Sequence, residues 1–155
     1  MAAGDIDLYI NYKQSLLDID AGLSGLPVDW DADTLRVAVM NATFTPDLTS
    51  ATSQLHWSDV STNQVATATA YTGPIALATL TVSETGGVVS VDADDVTINQ
   101  DAGGFTDGRR LVFYKDTGTA STSPLIAVGD LGSNKGIQAG PLEFQWHADG
   151  LLTLS

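Results

Sequence analysis

The 155-residue chain carries 6 Lys plus Arg against 19 Asp plus Glu, a formal net charge of −13, with 43% hydrophobic residues and a mean hydropathy of +0.09. A chain of this size and apolarity folds as one domain that buries roughly 70% of its unfolded surface, which excludes a disordered chain. Its charge repels phosphate backbones and anionic lipid surfaces, setting nucleic acid and membranes aside as partners, and the lack of cysteine removes disulfides, thiolate catalysis and cysteine-ligated metals.

No run of about 18 apolar residues is present, and Met1 to Asp5 has neither a basic nor an apolar leader region. The expectation is a soluble protein made in a cytoplasm. Of the acids, 17 are Asp and only Glu84 and Glu143 are Glu. Asp competes with the helical backbone and favours turns, so the acidity belongs to turns. With 18 Thr, 12 Ser and 15 Gly, the composition is that of strands and turns.

In chain order, Leu8, Tyr12, Leu16, Ile19 and Leu23 recur at three or four residues, with Ile10 and Leu17 widening the stripe. This spacing predicts one helix from Leu8 to Leu23, begun by Asp5 and Asp7 and ended by Gly22, Gly25 and Pro27. Period-two alternation from Asp33 to Phe44 predicts a strand. Thr45 to Thr69, rich in Thr, Ser, Asn and Asp around a Leu55-His56-Trp57 island, reads as a long surface excursion with about one helical turn.

Strands follow in close order: Ile75 to Glu84, a turn at Thr85-Gly86-Gly87, Val88 to Val91, a turn at Asp92 to Asp95, and Val96 to Ile98. Arg109 to Lys115, Leu125 to Asp130, Leu142 to His147 and Leu151 to Leu154 complete the set. The predicted fold is mostly β, an antiparallel β-sandwich or barrel of jelly-roll-like kind with one short N-terminal helix. Residues 1–27 form the helix, or arm, with its linker; residues 28–155 form a single β-domain.

Few residues are arranged for chemistry. Asp29, Asp31 and Asp33 have the opening spacing of a calcium loop, but Thr34 replaces the sharp-turn glycine and Met40 the bidentate Glu, so they read as an acidic linker. Asp92, Asp94 and Asp95 read as turn residues, with calcium binding there left open. The two histidines, His56 and His147, adjoin Trp57 and Trp146 and supply too few ligands for a catalytic zinc. No nucleophile elbow or phosphate loop is present. Pairs such as Asp101 with Asp107, or Asp94 with Glu143, satisfy a glycosidase pattern only as any chain with 19 acids would. Glu143, alternating with Phe144 and Trp146, is expected to face solvent. Neither enzyme activity nor a cofactor or metal is expected.

Three C-terminal stretches, Leu111-Val112-Phe113-Tyr114-Lys115-Asp116-Thr117, Pro124 to Gly132, and Phe144-Gln145-Trp146 with Asp149 to Ser155, resemble small virion structural proteins of tailed bacteriophages. The N-terminal helix followed by Asp33 to Asn41 is similar too, and together these cover about half of the chain. The resemblance implies a head decoration, or cement, protein on the capsid exterior, bound to the major capsid protein and commonly trimeric. The alternative it leaves is a tail or fibre component that binds a host glycan or receptor, with Trp30, Trp57 and Trp146 as aromatic platforms. For the first reading, the expected partner surface is Leu8, Tyr12, Leu16, Ile19 and Leu23, on a segment reaching away from its own sheet.

Overall fold

The computed structural model describes residues 4–17 and 26–154. It is mostly β, with 38% strand and 11% helix, and all its sheets are antiparallel. A five-stranded sheet has the order β1-β8-β7-β2-β3, from β1 (Ile6–Leu8), β2 (Leu35–Asn41), β3 (Ile75–Ala76), β7 (Gly108–Lys115) and β8 (Leu125–Lys135). A three-stranded sheet has the order β10-β5-β4, from β4 (Thr81–Thr85), β5 (Val88–Asp92) and β10 (Leu152–Leu154). The third sheet pairs β6 (Val96–Ile98) with β9 (Leu142–Phe144). The layers stack as a sandwich and do not close into a barrel.

The centre of the large sheet is apolar on both faces. Leu35, Val37 and Val39 of β2, with Leu111 and Phe113 of β7, point into one cluster, while Ala38, Met40, Val112 and Tyr114 point into another. On β8 an extra residue against β7 shifts the register between Phe113 and Tyr114. That bulge puts neighbouring Ile126 and Ala127 into the first cluster and leaves Leu125 and Val128 in the second. The first face is covered by the two small sheets, through Val91, Val96, Ile98 and Phe144, and by Tyr71, Phe105 and Ile137 from loops.

The second face is covered by the stretch expected to be a surface excursion. Val60 of this stretch and Phe44 just before it are buried in the second cluster, and the one-turn helix α2 (Trp57–Val60) stacks Trp57 on Tyr114 with ring centroids 4.8 Å apart. The polar composition of this stretch goes into its own turns. Asp47 accepts from the backbone of Thr49 and Ser50 and from the Ser53 hydroxyl, and these bonds lower its pKa to about 2.

The N-terminal expectation is corrected. Ile6 to Leu8 is a strand, the helix α1 spans only Ile10–Ser15, and residues 18–23 of the expected helix lie outside the described residues. Asp7 between Ile6 and Leu8 is a period-two pattern, and β8 offers a free edge to it; Ile6, Asp7 and Leu8 pair with Gly129, Val128 and Ala127. Residues 6–8 are therefore built into the chain's own sheet, against the expectation that the segment reaches away from it. Tyr9 and Tyr12 are buried in the core on either side of that junction.

The expected strand from Ile75 to Glu84 is also divided. Its start pairs with β2 and its end with β5, so the chain changes layers between them. Thr79 there takes a left-handed φ of +53°, with its hydroxyl donating to Asp94 at 2.7 Å.

Asp130 ties three strands together. Its backbone bonds to Gly4 and Asp5 beside β1, and its carboxylate pairs with Arg109 and, at 3.7 Å, with Arg110 of β7. Burial opposes the charge, but the Gly132 N–H at 2.7 Å and the two guanidinium groups outweigh it and hold the carboxyl below its ordinary pKa. A depressed folded-state pKa contributes stability above the unfolded value, lost as pH falls below about 4. Asp130→Asn should cost about 2–3 kcal/mol near neutral pH and shrink the loss of stability on acidification, measured by urea unfolding across pH. Phe44→Ala should cost about 3–5 kcal/mol in the same assay, comparable to Phe113→Ala on the opposite face.

Candidate interaction surface

The three-stranded sheet extends past the core it covers. Gly86 and Gly87, with φ of +64° and +86°, close β4 and β5 in a two-residue turn that suits the twist of a hairpin. On one face lie Val82, Glu84, Val89, Val91, Leu152 and Leu154, which share register rows. Val91 is buried on the core, whereas Val82, Val89 and Leu154 are 44%, 37% and 52% exposed. The other face carries hydroxyls, with Ser83 and Ser90 3.0 Å apart, over an open cleft of about 710 Å³.

Beneath the apolar face is a groove of about 160 Å³, walled on the far side by Leu8, Tyr12, Leu16 and Trp30. Trp30 donates through Nε1 to the Tyr12 hydroxyl at 3.2 Å, and the two rings meet edge to face. Burial raises the Tyr12 pKa despite that bond, so the phenol stays neutral. Leu16 is 46% exposed at the rim and Leu17 93% exposed beside it. An open apolar groove with a neutral floor can receive an apolar side chain from a protein partner.

Of the five residues expected on the partner surface, Leu8, Tyr12 and Leu16 line this groove, and Ile19 and Leu23 lie outside the described residues. Tyr12 serves the core as well as the groove, which corrects its assignment to an arm. Val82, Val89 and Leu154 were missed. Their alternation showed strands, but only the docking of the hairpin beside α1 shows that one end of the face overhangs the core.

The residues weighed for chemistry are separated or engaged. Asp33 accepts from the Asp29 N–H and pairs with Lys115 at 2.7 Å, so the Asp29–Asp33 run is a turn that anchors β7. Asp92, Asp94 and Asp95 turn to Ala93, Thr79 and Trp146 respectively. Among the described residues no group of three or more His, Asp or Glu converges as a metal site. Asp101 accepts from the Ala70 and Gly103 N–H groups, which lowers its pKa, the opposite of what a general acid requires.

Glu143 is exposed and His147 pairs with Asp149 at 3.1 Å; both line an open cleft of about 750 Å³ beside β1 and β8. His56 is half-buried at the start of α2. All three tryptophans are half-buried with a ring against other aromatics, Trp30 on Tyr12, Trp57 on Tyr114, and Trp146 on Phe113 and Phe144. Compared with known proteins, the chain matches no family model, no curated protein and no solved structure.

The groove separates structural from surface roles. Tyr12→Ala should lower stability by about 3 kcal/mol, whereas Leu16→Asp should change it by less than about 0.5 kcal/mol, both measured by chemical denaturation.

Proposed function

We propose that this chain is a non-enzymatic virion protein of a tailed bacteriophage, a decoration protein that binds the major capsid protein on the outside of the head and assembles there as a homotrimer. It would be made in the host cytoplasm and reside on the capsid exterior. The observation that carries the reading is the overhanging apolar face, with Val82, Val89 and Leu154 exposed above a groove rimmed by Leu16. Such a face is suited to a protein surface. The resemblance of the C-terminal strands and of the Asp33–Asn41 strand to virion proteins supplies the kind of surface.

Two further features support it over the tail or fibre alternative. The tryptophans expected to serve as glycan platforms are half-buried against other aromatics in three separate places, Trp30 at the groove, Trp146 at the larger cleft and Trp57 on the opposite face of the large sheet, so they form no common platform. The exposed face is also sparsely charged in an otherwise acidic molecule: the thirteen residues of β4, β5 and β10 include two acids, Glu84 and Asp92, and no Lys or Arg.

The test is co-sedimentation with heads assembled from the major capsid protein alone. The chain should saturate the heads in multiples of three copies, and Val89→Asp with Leu154→Asp should weaken binding at least tenfold without altering the fold by circular dichroism. Failure to bind heads, or binding only to tails, would overturn the reading.

A further inference from the structure

Beyond its apolar face, the three-stranded sheet has an unprotected edge. β4 bonds to β5 on one side and, among the described residues, to no strand on the other, and all five of its residues are exposed. Edge strands are ordinarily guarded by Lys, Pro, a bulge or extreme shortness. Thr81-Val82-Ser83-Glu84-Thr85 has no Lys, Pro or bulge, its register with β5 is unbroken, and its one charge, Glu84, sits next to the turn and is drawn back to the Gly87 N–H. By contrast β3 has two residues, and β1 three with Asp7 at its centre.

The hairpin determines which groups are free. In a two-residue hairpin the flanking pair, Thr85 and Val88, exchanges both backbone bonds, so Ser83 with Ser90 and Thr81 with Asp92 do the same. The N–H and C=O groups of Val82 and Glu84 therefore point away from β5, toward the free edge.

We propose that β4 pairs antiparallel with β4 of a second copy of this chain, about a two-fold axis through Ser83, to form a continuous six-stranded sheet. In this register Val82 of each copy exchanges both backbone bonds with Glu84 of the other, and all five residues overlap. The charge pattern selects it: pairing Glu84 with Glu84 would set like charges opposite each other, whereas the Ser83-centred register separates them. The Glu84 side chain is also drawn toward the turn, where it accepts from the Gly87 N–H at 2.7 Å.

A second copy fits this edge better than another extended partner. Net charge of −13 opposes self-association over most of the surface, and β4 with its neighbours is a low-charge window where like molecules can approach. The edge carries no basic residue that would attract an acidic segment and only one acid to attract a basic one. The contact rests on the strand edge alone and does not depend on the virion reading.

The lack of cysteine makes cross-linking a clean test. In the proposed register the two Ser83 residues form a pair without mutual backbone bonds, with Cα atoms about 4.5 Å apart, within the reach of a disulfide. Two Thr85 residues would lie more than about 13 Å apart along the strands, beyond that reach. Full-length Ser83→Cys, oxidised at micromolar concentration, should give a two-chain band on a non-reducing denaturing gel, at least tenfold stronger than Thr85→Cys gives.

Adding Val82→Pro removes an outward-facing N–H without taking a bond from β5, and should abolish the band while circular dichroism stays unchanged. Ser83→Cys that stays monomeric, cross-links no faster than Thr85→Cys, or is unaffected by Val82→Pro would overturn the proposal. None of these outcomes bears on head binding through Val89 and Leu154.

Discussion

Burial of both faces of β2, β7 and β8 is the constraint on which the rest of the molecule depends. Three adjacent strands with apolar side chains on alternate sides cannot leave either side in water, since each exposed Val, Leu or Phe forfeits roughly 1.5–3 kcal/mol of burial. The chain therefore has to supply two covers. One is made of small sheets and aromatic loops, the other of Phe44 and the 45–69 stretch that follows it, with Val60 and Trp57. The bulge at Ile126 follows from the same demand, because it lets β8 deliver side chains to both clusters while still pairing with β1 and β7.

Polar groups settle where the covers join. Asp130 is the clearest case: one buried carboxylate takes Arg109, Arg110 and the Gly132 N–H, while its backbone holds the chain entering β1. Asp116 with Arg36, and Asp33 with Lys115, tie β2 and β7 to the segments that flank them in the same way. Most of the scarce basic residues are thus spent on internal ion pairs, which leaves the outer surface dominated by acids and hydroxyls.

That distribution gives the three-stranded sheet its character. Its base must be apolar to close the first face of the core, and a hairpin that continues the same alternation past the core carries the apolar row into solvent. The overhanging face and the free edge of β4 follow from one extension, and both fall where the molecule has the least charge. An acidic protein can meet another protein most easily at such a place, since desolvating neutral side chains costs far less than desolvating carboxylates.

Alternation and turn chemistry in the sequence were enough to determine the β class, the antiparallel pairing and the place of most strands, because period-two patterning and Gly or Asp turns are local, whereas the order of strands in the sheets is not. Glu143 facing outward and the Gly86-Gly87 hairpin were legible for the same reason. The N-terminal strand was not, since Ile6 and Leu8 fit the margin of a helical stripe as well as a short strand, and only the free edge of β8 decides between them. The helical turn of the 45–69 stretch was legible, but its role as a cover was not, because its few apolar residues are spread among many polar ones. Whether Phe44, Val60 and Trp57 are covered depends on the sheet beneath them. Leu8, Tyr12 and Leu16 could be picked out as an apolar set, but their groove has its other wall at Val82, Val89 and Leu154, far along the chain. A surface made of segments so distant in sequence leaves no local period, and only the tertiary structure brings its two walls together.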